Sequence, residues 1–358
     1  MIDILEKSAT IPLRTFVTRH PFALEAGGVL RGARVAYRTW GELNAAGDNV
    51  VWVLHALTGD TDAASWWPAL IGPGRPADPR KHFIVCANMV GSCYGSTGPL
   101  TTDPGTGSPY YGTFPLLTQG DIVWFFRSLR EHLGVQRIAL LIGGSTGGQQ
   151  ALEWAFQEPE RIGRLVVVAA NARHSPWGIA FNEAQRMALE ADPTFGEARP
   201  DAGSAGLAAA RAMAVLTYRS AASINQYQHD ADRGYDRFKA AGYMRHQGNK
   251  LVQRFNAHSY HVLTRAMDSH DVGRGRGGTN VALSSLRIPT LSIGVSSRSA
   301  VPAAGPALYR RARAGRGVPR DREPPRSRCL PAGTGKTGGH PGRRTDRTLN
   351  DNPPNNDH

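Results

Sequence analysis

The sequence of 358 residues contains only three cysteines, Cys86, Cys93 and Cys329. So few cysteines exclude a disulfide framework and a four-cysteine zinc site. The sequence also has no run of about 18 apolar residues, which excludes a transmembrane helix. The first seven residues lack the charged and then apolar layout of a signal peptide. These absences predict a soluble cytoplasmic protein.

Residues 298–358 contain few of the large apolar residues that usually build a core, and those present are Leu, Val and Tyr. They contain no Ile, Phe, Trp or Met but nine Pro and eight Gly. They also hold thirteen Lys and Arg against five Asp and Glu, which accounts for +8 of the formal net charge of +13. Such a segment cannot bury enough apolar surface to fold, so we predict a disordered basic tail. A non-catalytic protein whose tail binds acidic partners such as nucleic acid is one hypothesis that this charge leaves open.

The sequence before residue 298 alternates between apolar, β-branched runs and stretches with helical spacing. Residues 119–133 and 149–157 have apolar positions at helical intervals. Short apolar runs between helices are typical of buried parallel strands, so we predict an α/β fold. The predicted strands are Asn49–His55, Phe83–Ala87, Arg137–Ile142, Arg164–Ala169 and Pro289–Gly294.

The chain is predicted to divide into four parts. Residues 1–174 form the first part of the core, and residues 288–297 contribute its last recognisable strand. Residues 175–287 between them read as helices rich in Ala, Arg and Gln. We expect this insertion to form a lid, since functional segments are commonly placed over the active site in this way. Residues 298–358 are the tail.

The segment Gly143-Gly-Ser-Thr-Gly147 matches the pattern G-x-S-x-G. It follows an apolar strand and opens a helix, which is the setting of a nucleophile elbow. Ser145 is therefore the candidate nucleophile. The backbone N–H groups of Leu57 and Thr146 are the candidate oxyanion hole, because Leu57 lies in the loop after an earlier strand. His55 precedes that loop, and we expect it to pack at the base of the loop.

Six stretches of the chain carry a resemblance to a known family. They are His55–Gly59, Asn88–Pro99, Gly143–Trp154, Ala172–Trp177, Leu216–Ser220 and Ala266–Gly278. Together, and in this order, they resemble the homoserine O-acetyltransferase family, whose members have the α/β-hydrolase fold. Thr146 and Gln149 depart from the family, which more often has apolar residues there.

The resemblance implies transfer of an acetyl group from acetyl-CoA to L-homoserine through a Ser145 acyl-enzyme. It places the arginine that binds the homoserine carboxylate at Arg219, whose planar guanidinium suits a carboxylate. It also implies a homodimer with no bound cofactor or metal. The Arg-Gly segment Gly273–Gly278 lies inside a family motif, so we expect a loop rather than a nucleic-acid site. A succinyl donor and an esterase activity remain alternatives.

The triad acid and base that the fold requires are missing from the sequence. The family has Asp where this chain has Arg298, and its late His-Gly-His-Asp-Ala-Phe-Leu motif is absent. Later histidines, His340 and His358, follow no strand pattern. Without a base, a serine nucleophile retains only the residual catalysis of the oxyanion hole and binding.

The genetic code offers an explanation for this loss. Possible codons for Arg298–Ala303, read one base later, begin with Asp and end with Tyr-Pro, as the family segment does. Possible codons for Pro325–Ala332, read one base later, encode His-Gly-His-Asp-Ala-Phe-Leu. We therefore predict one extra base, or two lost bases, near codons 297–298.

Overall fold

A seven-stranded sheet forms the centre of the computed structural model, which describes residues 11–231 and 234–294. Two further short strands pair with each other as a separate antiparallel hairpin. The strands are β1 (Arg14–Val17), β2 (Phe22–Ala23), β3 (Val29–Leu30), β4 (Arg34–Trp40), β5 (Val50–Leu54), β6 (Phe83–Ala87), β7 (Ile138–Gly144), β8 (Leu165–Val168) and β9 (Thr290–Ile293).

The order of the large sheet is β1-β4-β6-β5-β7-β8-β9. Strands β6, β5, β7, β8 and β9 are parallel to one another, whereas β4 and β1 are antiparallel to their neighbours. The helices are α1 (Ala63–Trp66), α2 (Gln119–His132), α3 (Thr146–Gln157), α4 (Pro176–Glu190), α5 (Ser204–Tyr218), α6 (Ala221–Tyr227), α7 (Lys239–Val252), α8 (Ala257–Asp268) and α9 (Thr279–Ser285).

The predicted α/β-hydrolase fold, with a mostly parallel sheet flanked by helices, is confirmed. All five predicted strands are present as β5 to β9, and helix 119–133 is present as α2. The helix predicted from residue 149 begins earlier, at Thr146, because Ser145 occupies its N-cap position. The first four strands were not predicted. Strands β1 and β4 mix Arg and Thr with apolar residues, and they lie at or near an edge of the sheet. Strands β2 and β3 are only two residues long, which is too short for a recognisable apolar run.

The core lies on both faces of the sheet because successive strand residues point in opposite directions. Trp52 of β5 belongs to the larger cluster, where its ring meets that of Trp154 of α3 edge to face at 4.9 Å. Val51 and Val53 of the same strand belong to a smaller cluster with Ile84. Helix α2 begins with a capping box between Thr118 and Asp121.

Helices α4 to α9 lie between β8 and β9 in the chain. Helix α4 packs against α5 and α8, and α5 also packs against α7. No helix of residues 11–231 and 234–294 is long and apolar enough to span a bilayer. The predicted tail, Arg298 and the later histidines all lie outside these residues.

Candidate active site

Ser145 lies at a sharp turn between strand β7 and helix α3. Its backbone has φ 57° and ψ −125°, a conformation that a residue with a side chain rarely adopts. The Ser145 N–H donates to the carbonyl of Val168 on the neighbouring strand, at 2.9 Å. The side chain is half-buried, and its hydroxyl makes no hydrogen bond within the described part of the chain. The turn therefore holds the hydroxyl at the C-terminal edge of the sheet.

Two glycines make this turn possible. A Cβ on Gly147 would clash with the carbonyl oxygen of Leu54 and lie 2.7 Å from that of His55. A Cβ on Gly143 would clash with the Gly147 carbonyl and lie 2.9 Å from the Gly148 nitrogen. These neighbours are backbone atoms, which cannot rotate away. The glycines of the G-x-S-x-G pattern are thus explained by close backbone approach.

The predicted oxyanion donors flank this turn. Leu57 follows β5 and lines the same cavity as Ser145, and Thr146 is the first residue of α3. Neither backbone N–H donates to an acceptor in the described residues, and the positive end of the α3 dipole favours negative charge nearby. Arg254 contacts the loop after β5, where its guanidinium donates a hydrogen bond to the Thr58 carbonyl oxygen at 2.5 Å. Both N–H groups are therefore available to a developing oxyanion.

The loop before Leu57 is anchored by His55. Its ring is 1% exposed, and Nδ1 lies 2.9 Å from the Ala56 carbonyl oxygen. Burial lowers the pKa of His55, which favours the neutral ring. A Cβ on Gly59 would lie 2.9 Å from the His55 Cβ, so the loop folds tightly over this side chain.

A cavity that is partly open to solvent extends from Ser145 under the inserted helices. Its roof comes from α4, α5 and α8, and its floor comes from the loops after β5, β7 and β8. The polar lining residues are Ser145, Gln149, Asn171, His174, Asn182, Gln185, Thr217, Tyr218 and Tyr260. A second, open cavity on the other side of Ser145 is bounded by Trp66 and Trp67.

His174 is a cavity residue to which the sequence assigned no role, although it lies in one of the family stretches. Its Nδ1 is 3.2 Å from Gln149 Nε2, and its Nε2 is 3.3 Å from Asn182 Nδ2. Burial lowers the pKa of His174, with Asp268 opposing that shift. Asp268 also pairs with Arg186 at 2.6 Å. Only the folding of the insertion onto the core brings these groups together.

Arg219 is exposed at the C-cap of α5. The cavity is lined by Thr217 and Tyr218, immediately before it, while Arg219 is not among the lining residues. Cys93, in the glycine-rich loop, is half-buried, and burial raises the pKa of its thiol to about 11. This thiol is therefore protonated at neutral pH and is a weak nucleophile.

No group of three or more His, Cys, Asp or Glu side chains that could bind a metal occurs in residues 11–231 and 234–294. The triad acid and base were predicted to be absent from the sequence, and the chain after β9, where the fold requires them, lies beyond the described residues. Within those residues, His174 is the histidine that shares the cavity with Ser145.

The profile of the alpha/beta hydrolase fold matches residues 49–316. The structure resembles that of esterase E22, with a TM-score of 0.78 and 23% identity over 85% of this chain and 89% of that one. It also resembles the homoserine O-acetyltransferase of Bacillus anthracis, with a TM-score of 0.78 and 21% identity over 84% and 88% of the two chains. The protein thus has the α/β-hydrolase fold, with Ser145 at the turn between β7 and α3.

Comparison of sequences is more specific. Homoserine O-acetyltransferase of Cyclobacterium marinum is 50% identical over 282 residues, which cover 79% of this chain and 80% of that protein. The enzyme of the same name from Trichormus variabilis is 47% identical over 281 residues, covering 77% and 78%. The chain belongs to the homoserine O-acetyltransferase family, a family of acyltransferases.

Proposed function

We propose that this protein, in the cytoplasm and as a homodimer, transfers an acetyl group from acetyl-CoA to the hydroxyl of L-homoserine. The observation that carries this proposal is the position of Ser145. Its hydroxyl lies at a strained turn, beside two backbone N–H groups that make no hydrogen bond within the described residues, and it faces a cavity that several polar side chains line. Relatives at 47–50% identity named homoserine O-acetyltransferase support the choice of substrates.

The reaction has two steps in this proposal. The Ser145 oxygen attacks the thioester carbonyl of acetyl-CoA, the C–S bond breaks, and CoA leaves as the thiol with the serine proton. The hydroxyl of L-homoserine then attacks the serine ester, and Ser145 recovers a proton as O-acetylhomoserine leaves. In each step the N–H groups of Leu57 and Thr146 stabilise the negative oxygen of the tetrahedral intermediate.

Arg219 is proposed to bind the homoserine carboxylate. It directly follows Thr217 and Tyr218, which line the cavity, so its backbone lies next to the cavity wall. A planar guanidinium can form two parallel hydrogen bonds with a carboxylate. The acetyl donor does not need this contact, so Arg219 would act in the second step.

Both steps need a base for the attacking hydroxyl, and the sequence has Arg298 in place of the family's aspartate. We propose that the chain as written is impaired for this reason, and that a one-base shift near codon 297 removed both the acid and the base. Loss of a triad member leaves only a residual acceleration, roughly 10³–10⁴-fold over water, from the oxyanion hole and binding.

The test compares the 358-residue chain with the chain read in the alternative frame after residue 297. Intact mass after brief exposure to acetyl-CoA should show one acetyl group on the frame-corrected chain and little on the original. Ser145→Ala should abolish the label, and Thr58→Ser serves as a control in the same loop region. Acetylation that persists in Ser145→Ala contradicts the proposal. Addition of L-homoserine, water alone or succinyl-CoA then separates the transferase from the esterase and from a succinyl transferase.

A further inference from the structure

Ser145 borders two cavities of different character. The first cavity, under the inserted helices, is lined by many polar side chains. The second cavity is open to solvent and is bounded by Trp66 and Trp67, by Ala56 after β5 and by Val168 at the end of β8. Apart from the two indoles, the described residues that line the second cavity contribute no polar side chain except that of Ser145. On this side the nucleophile therefore borders an apolar space that a small molecule can enter.

The two indoles belong to the wall of the second cavity. Their ring centroids are 5.7 Å apart with an interplanar angle of 26°, so the rings are nearly parallel. Trp66 Nε1 donates to the Asp60 carbonyl at 3.1 Å, which holds the ring in place although 40% of the residue is exposed. An indole stacks with flat aromatic rings and attracts cations to its ring face. This wall therefore suits a flat heterocycle that can carry a positive charge.

The chain leaves the sheet next to the second cavity. Val168 pairs with Ile293 of β9 in parallel register, and the Ala169 N–H donates to the Ile293 carbonyl at 2.8 Å. Val168 and Ala169 both line the second cavity, so the chain beyond β9 begins beside it. In α/β-hydrolase folds the acid and then the base follow the nucleophile in the chain. A base that came from this part of the chain would reach Ser145 through the second cavity, but the sequence has Arg298 in place of the acid and lacks the histidine motif.

No histidine in residues 11–231 and 234–294 is hydrogen-bonded to the Ser145 hydroxyl. His55 is 1% exposed, and its Nδ1 lies 2.9 Å from the Ala56 carbonyl oxygen. His174 lines the first cavity, where its ring nitrogens lie 3.2 and 3.3 Å from the amide nitrogens of Gln149 and Asn182. Within the described residues, the space beside the hydroxyl is thus open to a base from solution.

We propose that the second cavity binds a small heterocyclic base of the imidazole class, and that the bound base activates Ser145. Its unprotonated ring nitrogen takes the hydroxyl proton as the serine oxygen attacks the acyl carbonyl. The imidazolium formed in this step lies beside the indoles, which favour a cation. It then gives the proton to the leaving group. When the serine ester is cleaved, the same base takes a proton from the attacking water or alcohol, and Ser145 recovers a proton.

The expected acceleration follows from the position of the base. General base catalysis by a positioned group contributes roughly 10²–10⁴-fold, and it is most effective when the pKa of the base is near the working pH. Imidazole meets this condition, because the unperturbed imidazole of histidine has a pKa of about 6.5. The inference rests on the proposed function for Ser145 as the nucleophile and for acetyl-CoA as the donor. The experiments therefore include a second ester and the frame-corrected chain.

The first experiment titrates the whole 358-residue chain with imidazole at constant ionic strength and at a fixed pH above the pKa of imidazole. It measures the release of thiol from acetyl-CoA and, separately, of p-nitrophenol from p-nitrophenyl acetate. Ser145→Ala gives the rate at which imidazole attacks each ester in solution, and this rate is subtracted. We expect the remaining rate to rise at least about tenfold and to saturate as the cavity fills. A remaining rate that is unchanged, or that rises linearly without saturation, overturns the inference.

Variants of the cavity wall locate the base. Trp66→Ala and Trp67→Ala should each raise the half-saturating imidazole concentration about fivefold, the effect of losing one cation–π contact. Tyr235→Ala is the matched control, because it removes a fully exposed aromatic ring that lines neither cavity, and it should leave this concentration unchanged. Half-saturation that is the same in Trp66→Ala as in the wild type overturns the inference. Trp66 is partly exposed, so this variant decides alone if Trp67→Ala does not fold.

A second base tests the chemistry of the cavity. N-Methylmorpholine is an aliphatic amine of similar basicity that cannot stack on an indole. It should accelerate the reaction less than imidazole does, since it lacks the flat aromatic ring that the wall favours. Equal acceleration by the two bases at equal concentration overturns the inference, because a base acting from bulk solution would give that result.

The two esters and the two chains separate this inference from the proposed function. Saturation with p-nitrophenyl acetate but no turnover of acetyl-CoA supports the base site and contradicts the proposed donor. If Ser145 becomes acetylated in the frame-corrected chain while the 358-residue chain shows no imidazole response with either ester, the base site is overturned and the proposed function stands.

Discussion

The strained turn at Ser145 should have a measurable cost in folding stability. A residue in such a sparsely populated conformation costs about 1–3 kcal/mol. Ser145→Gly removes the Cβ that causes the strain, although glycine adds about 0.5–1 kcal/mol of conformational entropy to the unfolded chain. Ser145→Ala keeps the Cβ, and the hydroxyl that it removes has no hydrogen bond in the described residues. The two variants should therefore differ in free energy of unfolding by the strain of the turn, less the entropy cost of glycine.

We expect the free energy of unfolding of Ser145→Ala to equal that of the wild type. The free energy of unfolding of Ser145→Gly should exceed both by about 1 kcal/mol, which is the strain removed less the entropy that glycine adds to the unfolded chain. This difference corresponds to about a fivefold change in the folding equilibrium constant. Equilibrium unfolding in urea, followed by tryptophan fluorescence, measures it at constant pH. A Ser145→Gly variant no more stable than Ser145→Ala would refute the idea that the elbow stores strain.

Alanine at the neighbouring glycines provides the steric control. Gly147→Ala should destabilise by at least about 1–3 kcal/mol, since its Cβ would meet two carbonyl oxygens that cannot move aside. Gly144→Ala should change stability by no more than about 0.5 kcal/mol, since its Cβ would lie 3.8 Å from the nearest atom. Equal effects at both positions would contradict the packing described for this turn.

Three further predictions concern the substrate, the reading frame and pH. In the frame-corrected chain, Arg219→Ala should raise KM for homoserine at least about tenfold while Ser145 still acetylates at its normal rate; a loss of acetylation in rapid-mixing experiments would reassign the residue. Resequencing the DNA across codons 297–298 should reveal a one-base difference, and a confirmed frame combined with normal transferase activity of the 358-residue chain would rule out the frame-shift hypothesis. Burial lowers the pKa of His270 from 6.5 to about 4. As the pH falls, His270 therefore binds a proton in the unfolded chain before it does so in the folded chain. The contribution of the neutral His270 ring to folding stability is fully present above pH 6.5. It is lost as the pH falls towards 4, and the total loss is about 3 kcal/mol. His270→Asn should reduce the pH dependence of the urea midpoint across that range, and an unchanged slope would contradict the assignment.

The local sequence was sufficient to predict the central strands of the sheet and the turn that holds Ser145. Strands β5 to β9 are short apolar runs bounded by polar residues, and such runs have few alternatives to a buried sheet. The elbow is equally local, because the strand, the two essential glycines and the helix are contiguous. Ser145 could therefore be predicted as the nucleophile from a dozen neighbouring residues.

The wall of the substrate cavity was decided only by the tertiary structure. Gln149, His174, Asn182 and Asp268 belong to three helices and a loop, and no spacing in the sequence relates them. Their protonation and hydrogen bonding depend on which donors and acceptors the folded insertion places within 3–4 Å of one another. Periodicity reports which face of an element is buried, but it does not report what lies opposite that face. For this reason the sequence predicted a candidate nucleophile, whereas the polar groups that line the cavity beside it emerged only from the fold.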